Sequence, residues 1–134
     1  MILGLGVDIA EVPRVREAIE RYGERFLRRV FTPAEVVYCR RHKNSHDRFA
    51  ARFAAKEAAM KALGTGWRGG VSWRQIEVVN LPSGKPSLKL SGKALEIYHR
   101  LGGSNLVLSL THTADHALAE VIIEGDAAPS LSPD

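Results

Sequence analysis

The chain has 134 residues, 45% of them hydrophobic and 25% charged, the balance of one globular domain rather than two domains or a disordered polymer. Its 19 Lys and Arg against 15 Asp and Glu leave a net charge of +4, so an anionic partner is expected: nucleic acid, an acidic protein or a phosphorylated small molecule. Cys39 is the single cysteine, which excludes an intramolecular disulfide and a cysteine-based metal cluster.

The opening MILGLGVDIAEV has no basic n-region and meets Asp8 almost at once, so neither a signal peptide nor a membrane span is expected, and a reducing cytoplasm is the expected compartment. These residues alternate as a strand does, with Leu3, Leu5, Val7 and Ile9 on one face and Ile2, Gly4, Gly6 and Asp8 on the other. Two glycines on one face imply that something approaches the backbone there. Pro13 suits the first turn of a helix carrying Val12, Val15, Ile19 and Tyr22, with Gly23 as its stop. Thr32-Pro33-Ala34-Glu35 reads as a capping box opening a second helix.

An alanine-rich helix is expected from near Asp47 to Gly64, followed by a Trp- and Gly-containing loop and a strand around Ile76 to Val79. The turn from Leu81 to Pro86 leads into a strand from Ser87 to Leu90, and Ser91 stands as an N-cap for a short helix holding Leu95, Tyr98 and Leu101. LVLSLTHTADHALAEVII reads as two strands joined near Thr113 to Asp115. A domain over residues 1–124 and a disordered Ala-, Pro- and Ser-rich tail over 125–134 are expected. Helices grouped after one strand, with later strands in pairs, predict an α+β fold with a mostly antiparallel sheet.

The alanine-rich helix carries the first candidate chemistry. Phe53, Glu57 and Lys61 follow at intervals of four and share a face. An exposed Glu-to-Lys pair is one reading. The other follows from Ala54, Ala55, Ala58, Ala59 and Ala62, which let other backbone pack closely, so that charges among them need a defined partner or ligand. Gly64-Thr65-Gly66 is either a C-cap or a stretch of backbone open to a phosphate, and it is no P-loop, because the lysine precedes the glycines. Asp8 is either the cap of the following helix or, with Glu57, half of a site for a hard divalent cation such as Mg²⁺ completed by phosphate oxygens.

His112 closes an apolar strand, a place more often held by a turn or surface histidine than by a ligand, and no HExxH or Ser-His-Asp arrangement accompanies it. Arg14, Arg21, Arg25, Arg28 and Arg29 crowd the first helix and its continuation, as a solvated face or as a docking surface for anions. The stacking aromatics of a single-strand nucleic-acid reader are missing, so an acidic protein is the favoured partner.

GVDIAEVPRV (Gly6 to Val15) and RFAAKEAAMKALGTG (Arg52 to Gly66) together resemble the paired motifs of the holo-acyl-carrier-protein synthases, small 4′-phosphopantetheinyl transferases. The resemblance extends through FTPAEVVYC, SGKPSLKLSG and LSLTHTADHALAEVI to about Glu124. It implies an Mg²⁺-dependent enzyme that moves phosphopantetheine from coenzyme A to a serine of apo acyl carrier protein, in fatty acid biosynthesis, as a homotrimer with sites between subunits.

By the same resemblance Asp8 and Glu57 are metal ligands and Lys61 reaches the pyrophosphate, these three forming the catalytic set. Gly64, Thr65, Gly66, Ser109, His112, Lys85, Pro86 and Arg52 would border coenzyme A, and Arg14, Arg21, Arg25 and Arg28 would meet the acidic carrier. Departures from the family pattern are Ala59-Met60, Thr111 for a serine, and Pro13. Two rivals stand beside this reading. One is a non-catalytic basic adaptor, which would need neither metal nor coenzyme A. The other is a transferase of broad carrier range, against which the short chain argues.

Overall fold

The opening alternation forms β1 (Ile2–Glu11), which pairs antiparallel with β5 (His116–Gly125); β5 pairs antiparallel with β4 (Gly103–His112). The resulting sheet has the order β1-β5-β4, and the N-terminal amino group donates to the Gly125 carbonyl at 2.8 Å. The computed structural model describes residues 1–64 and 69–126. The rest of the expected tail, 127–134, lies outside the described residues.

The glycine face of β1 is the buried one, and the reason is steric. Helix α4 (Ser45–Leu63) crosses this face so closely that a Cβ on Gly6 would stand 1.9 Å from the Ala58 carbonyl oxygen, and one on Gly4 2.2 Å from that of Ala62. The helix meets the sheet through small residues, with Ala54, Ala55, Ala58, Ala59 and Ala62 all buried. Opposite them stand Ala117, Ala119, Val121 and Ile123 of β5 and Leu108 of β4. The other face of β1 leaves Leu5, Val7 and Ile9 exposed.

Between β1 and α4 the chain forms α1 (Val12–Tyr22), α2 (Glu24–Val30) and α3 (Pro33–Arg40). Gly23 adopts a φ of 55°, which ends α1 and turns the chain into α2. Thr32 and Glu35 form the expected capping box, the Glu35 amide donating to Thr32 Oγ1 and the Thr32 amide to Glu35 Oε1.

A 3₁₀ turn (Trp73–Gln75) leads into β2 (Ile76–Asn80), which makes an antiparallel hairpin with β3 (Pro86–Leu90); α5 (Gly92–Arg100) follows. Ser91 holds the N-cap position of α5 without capping by its side chain. Gln75 Oε1 accepts from the Ala94 amide instead, because the 3₁₀ turn packs against the start of the helix.

A buried polar hub fixes the hairpin on α4. Lys56 and Glu35, both side chains fully buried, pair at 2.7 Å. The ammonium also donates to the carbonyls of Trp73 and Ile76, and Glu35 Oε2 accepts from the Val78 amide. Thr32 extends the hub by donating its hydroxyl to Glu77 at 2.7 Å. The carboxylate of α3 thus serves a backbone donor of β2 much as a further strand would.

Candidate active site

Asp8, Glu57 and Lys61 meet where β1 crosses α4. Lys61 Nζ stands 3.0 Å from Asp8 Oδ1 and 3.0 Å from the Val7 carbonyl oxygen. Its ammonium therefore faces the strand rather than Glu57 one turn back, which disposes of the simple pair along one helix. Asp8 does not cap α1 either: it lies within β1, and Glu11 occupies the N-cap position. The glycines two and four residues before Asp8 let the strand lie against the helix backbone, and that contact delivers the carboxylate.

Glu57 is half-buried, and burial pushes its pKa up. The Asp8 carboxylate raises it further, while Lys61 pulls it back. Two partly buried carboxylates whose charges push on each other are hard oxygen donors, with Lys61 the cation beside them. That chemistry fits Mg²⁺, which takes one or two protein carboxylates and fills its octahedron with phosphate oxygens and water. Among the described residues no group of three or more His, Cys, Asp or Glu could hold a metal ion, so a cation here would have two protein carboxylates at most.

One helical stripe away on α4 lies Arg52, buried at 4% exposure. Its guanidinium sits 4.0 Å over the Tyr38 ring and donates to Asn80 Oδ1 at 3.1 Å. A cavity of about 200 Å³ joins Arg52 to Arg48, Tyr38, Asn80, Pro86 and His112. The Nε atoms of Arg48 and Arg52 are buried without a hydrogen-bond partner. Arg48 and Arg52 bring positive charge to this cavity, set against the Asp47 carboxylate that also lines it.

Three of the residues expected beside the coenzyme, Arg52, Pro86 and His112, thus meet in one cavity although they come from three elements. Ser109 does not join them: by strand alternation it lies on the opposite face of β4 from Leu110 and His112. Lys85 is exposed in the β2–β3 turn, its carbonyl accepting from the Leu81 amide. Gly64 is the left-handed C-cap of α4, and Thr65 and Gly66 lie outside the described residues. His112 also borders a second groove with Ile9, Thr111, His116 and Leu118 at the end of the sheet.

Sequence reasoning missed Arg48, Tyr38 and Asn80. Arg48 carried one usable signal, its spacing of four from Arg52, which puts both on one helical face. Tyr38 and Asn80 carried none, because only the packing of α3 and β2 on α4 brings them in.

The arginine surface divides between two helices. Arg14 and Arg21 lie two turns apart on α1, Arg14 pairing loosely with Glu11 at 3.5 Å. On α2, Arg25 and Arg29 flank a groove with Tyr22 and Phe26, while Arg28 edges an apolar groove floored by Leu27, Phe31 and Val36.

The sequence pattern of the 4′-phosphopantetheinyl transferase superfamily matches residues 4–120. The chain is 55% identical over 124 residues to the holo-[acyl-carrier-protein] synthase of Solibacter usitatus, covering 92% of this chain and 99% of that protein. The synthase of Koribacter versatilis is similar to the same extent over the same coverage. Among solved structures, the synthase of Neisseria meningitidis superposes with a TM-score of 0.84 at 35% identity, covering 92% of this chain and 99% of that one. That of Helicobacter pylori, in complex with coenzyme A, gives 0.78 at 31% identity over 90% and 99%.

Proposed function

The chain belongs to the 4′-phosphopantetheinyl transferase superfamily, and from that premise we propose that it is an Mg²⁺-dependent holo-[acyl-carrier-protein] synthase. It transfers the phosphopantetheine of coenzyme A to a serine of apo acyl carrier protein and so serves fatty acid biosynthesis in the cytoplasm. The catalytic domain takes in residues 1–125, one residue beyond the expected end, because Gly125 is buried as the last residue of β5 and hydrogen-bonded to Met1. The observation that carries this reading is the meeting of Asp8, Glu57 and Lys61 at the β1–α4 crossing.

The serine oxygen forms a new bond to the pantetheine-side phosphorus. The bond from that phosphorus to the bridging oxygen breaks, and adenosine 3′,5′-bisphosphate leaves with the electron pair. Bound Mg²⁺, held by Asp8 and Glu57, would neutralise charge on the transferring and leaving groups. Lys61 supports the same charge with its ammonium. Glu57 takes the serine proton, directly or through a water. Arg48 and Arg52 orient the nucleotide end of coenzyme A through the positive charge they bring to the cavity they line. No helix among the described residues is long and apolar enough to cross a membrane.

Intact-mass spectrometry of apo acyl carrier protein with coenzyme A and Mg²⁺ tests the reaction. A phosphopantetheine mass gain is expected, abolished by EDTA and by Asp8→Ala. No gain on a carrier that another synthase does modify would sink the proposal and return the basic adaptor.

The two substrates dock on different surfaces, so their Michaelis constants should separate. Arg52→Met is expected to raise KM for coenzyme A several-fold and leave that for carrier protein unchanged. Arg21→Ala should do the reverse, and only at low ionic strength, because exposed charges act within about 10 Å in 0.1 M salt. Equal effects on both constants would refute the division.

The uncovered sheet face supports a homotrimer with sites between subunits. Leu5, Val7 and Ile9 are exposed there beside half-buried Leu118 and Ile122 of β5 and around exposed Glu120, an apolar face of the kind a second subunit covers. Light scattering should return three chains, and Leu5→Glu should return fewer. A wild-type monomer would refute the assembly.

A further inference from the structure

Lys61 occupies a seat that its proposed role requires it to leave. Its ammonium rests on Asp8 Oδ1 and the Val7 carbonyl oxygen, both at 3.0 Å. The lysine side chain is 56% exposed, while that of Asp8 is only 17% exposed. The lysine thus has solvent into which it can be displaced, while the carboxylate is largely covered. A compact ammonium and a hard divalent cation seek the same oxygen lone pairs.

We propose that Lys61 is a built-in counterion that holds the Asp8 seat until a divalent cation and a pyrophosphate substrate are both present, coupling the binding of the two. This rests on the metal and coenzyme A reading above. Without the lysine, Asp8 and half-buried Glu57 would face each other as bare negative charges, and Lys61 already offsets the push of Asp8 on Glu57. A cation entering alone must displace the ammonium from Asp8 with only water to receive it. When a pyrophosphate is present the displaced ammonium gains a strong acceptor, so displacement becomes easier. Each ligand then raises the affinity for the other by the same factor.

The test is a direct titration of the full chain with Mn²⁺, read by electron paramagnetic resonance, with and without coenzyme A and with no carrier protein present. Lys61→Met should bind Mn²⁺ tighter than wild type by roughly two- to fivefold when coenzyme A is absent, the scale of an exposed ion pair. The gain in Mn²⁺ affinity on adding coenzyme A should be smaller in Lys61→Met than in wild type. Lys61→Arg keeps a cation on Asp8 and should match wild type in the titration without coenzyme A. Circular dichroism checks that both variants fold, which the exposure of Lys61 favours. If wild type binds Mn²⁺ and Lys61→Met binds it equally or more weakly, the counterion role is overturned while the metal site stands. If wild type binds no Mn²⁺ with or without coenzyme A, the metal reading falls and takes this inference with it.

Discussion

Glu35→Ala is expected to destabilise the fold by about 3–5 kcal/mol, the cost of leaving a buried charge without its partner. The pair it breaks is fully buried on both sides, and Glu35 also receives the amides of Thr32 and Val78. Burial already pulls the Lys56 pKa below the ordinary lysine value, and the Glu35 charge and hydrogen bond pull it back up. With Glu35 gone, the folded-state lysine is depressed further. The sign follows from linkage: the penalty is complete while Lys56 is charged in both states and fades as pH rises towards the ordinary lysine value.

Chemical denaturation at neutral pH, repeated under alkaline conditions, reads both the deficit and its fading. Adding Lys56→Met to Glu35→Leu removes the orphan charge. It should recover only part of the loss, because the Ile76 carbonyl and the Val78 amide lose the side chains that pair with them here. A Glu35→Ala deficit below about 1 kcal/mol would mean that apolar packing, not the hub, holds the hairpin on α4.

Gly6→Ala is expected to damage catalysis more than stability. The added Cβ would stand 1.9 Å from the Ala58 carbonyl oxygen, a backbone atom that yields only if α4 moves away from β1. Overpacking of this kind costs roughly 1–3 kcal/mol. The displacement separates Asp8, two residues along the strand, from Glu57, which adjoins Ala58. A misplacement of about 1 Å in a reacting group can cost on the order of 10²-fold in rate. Turnover per folded molecule should therefore fall by about that factor, together with weaker Mn²⁺ binding. A destabilised variant with full turnover and unchanged metal affinity would show that the close crossing serves packing alone.

The features legible in the sequence are those whose causes lie within a few residues. The capping box at Thr32 and Glu35, the stops at Gly23 and Gly64 and the hairpin turn from Leu81 to Pro86 each follow from backbone chemistry over one or two turns. The strand alternation at the start was equally local, and its two glycines announced a close neighbour. Family resemblance carried the pairing of Asp8 with Glu57, which spacing alone left open.

Lys56 and Lys61 show where local reading stops. Both stand in the same alanine-rich helix, and nothing in that helix tells them apart. One is sealed against Glu35 beneath the hairpin; the other reaches Asp8 at the surface of the crossing. Arg52 likewise stood in the sequence without Tyr38, Asn80 or its neighbour Arg48 as cavity partners. By itself the sequence determined most of the elements, the caps at Gly23, Thr32 and Gly64 and the residue types able to bind phosphate and metal, since those depend on near neighbours; the Ser91 cap it offered is not made. Only the tertiary structure decided which charges meet, because Asp8 and Lys61 are 53 residues apart and Glu35 and Lys56 are 21 apart. Their encounter is set by how closely an alanine face can lie on a glycine-bearing strand.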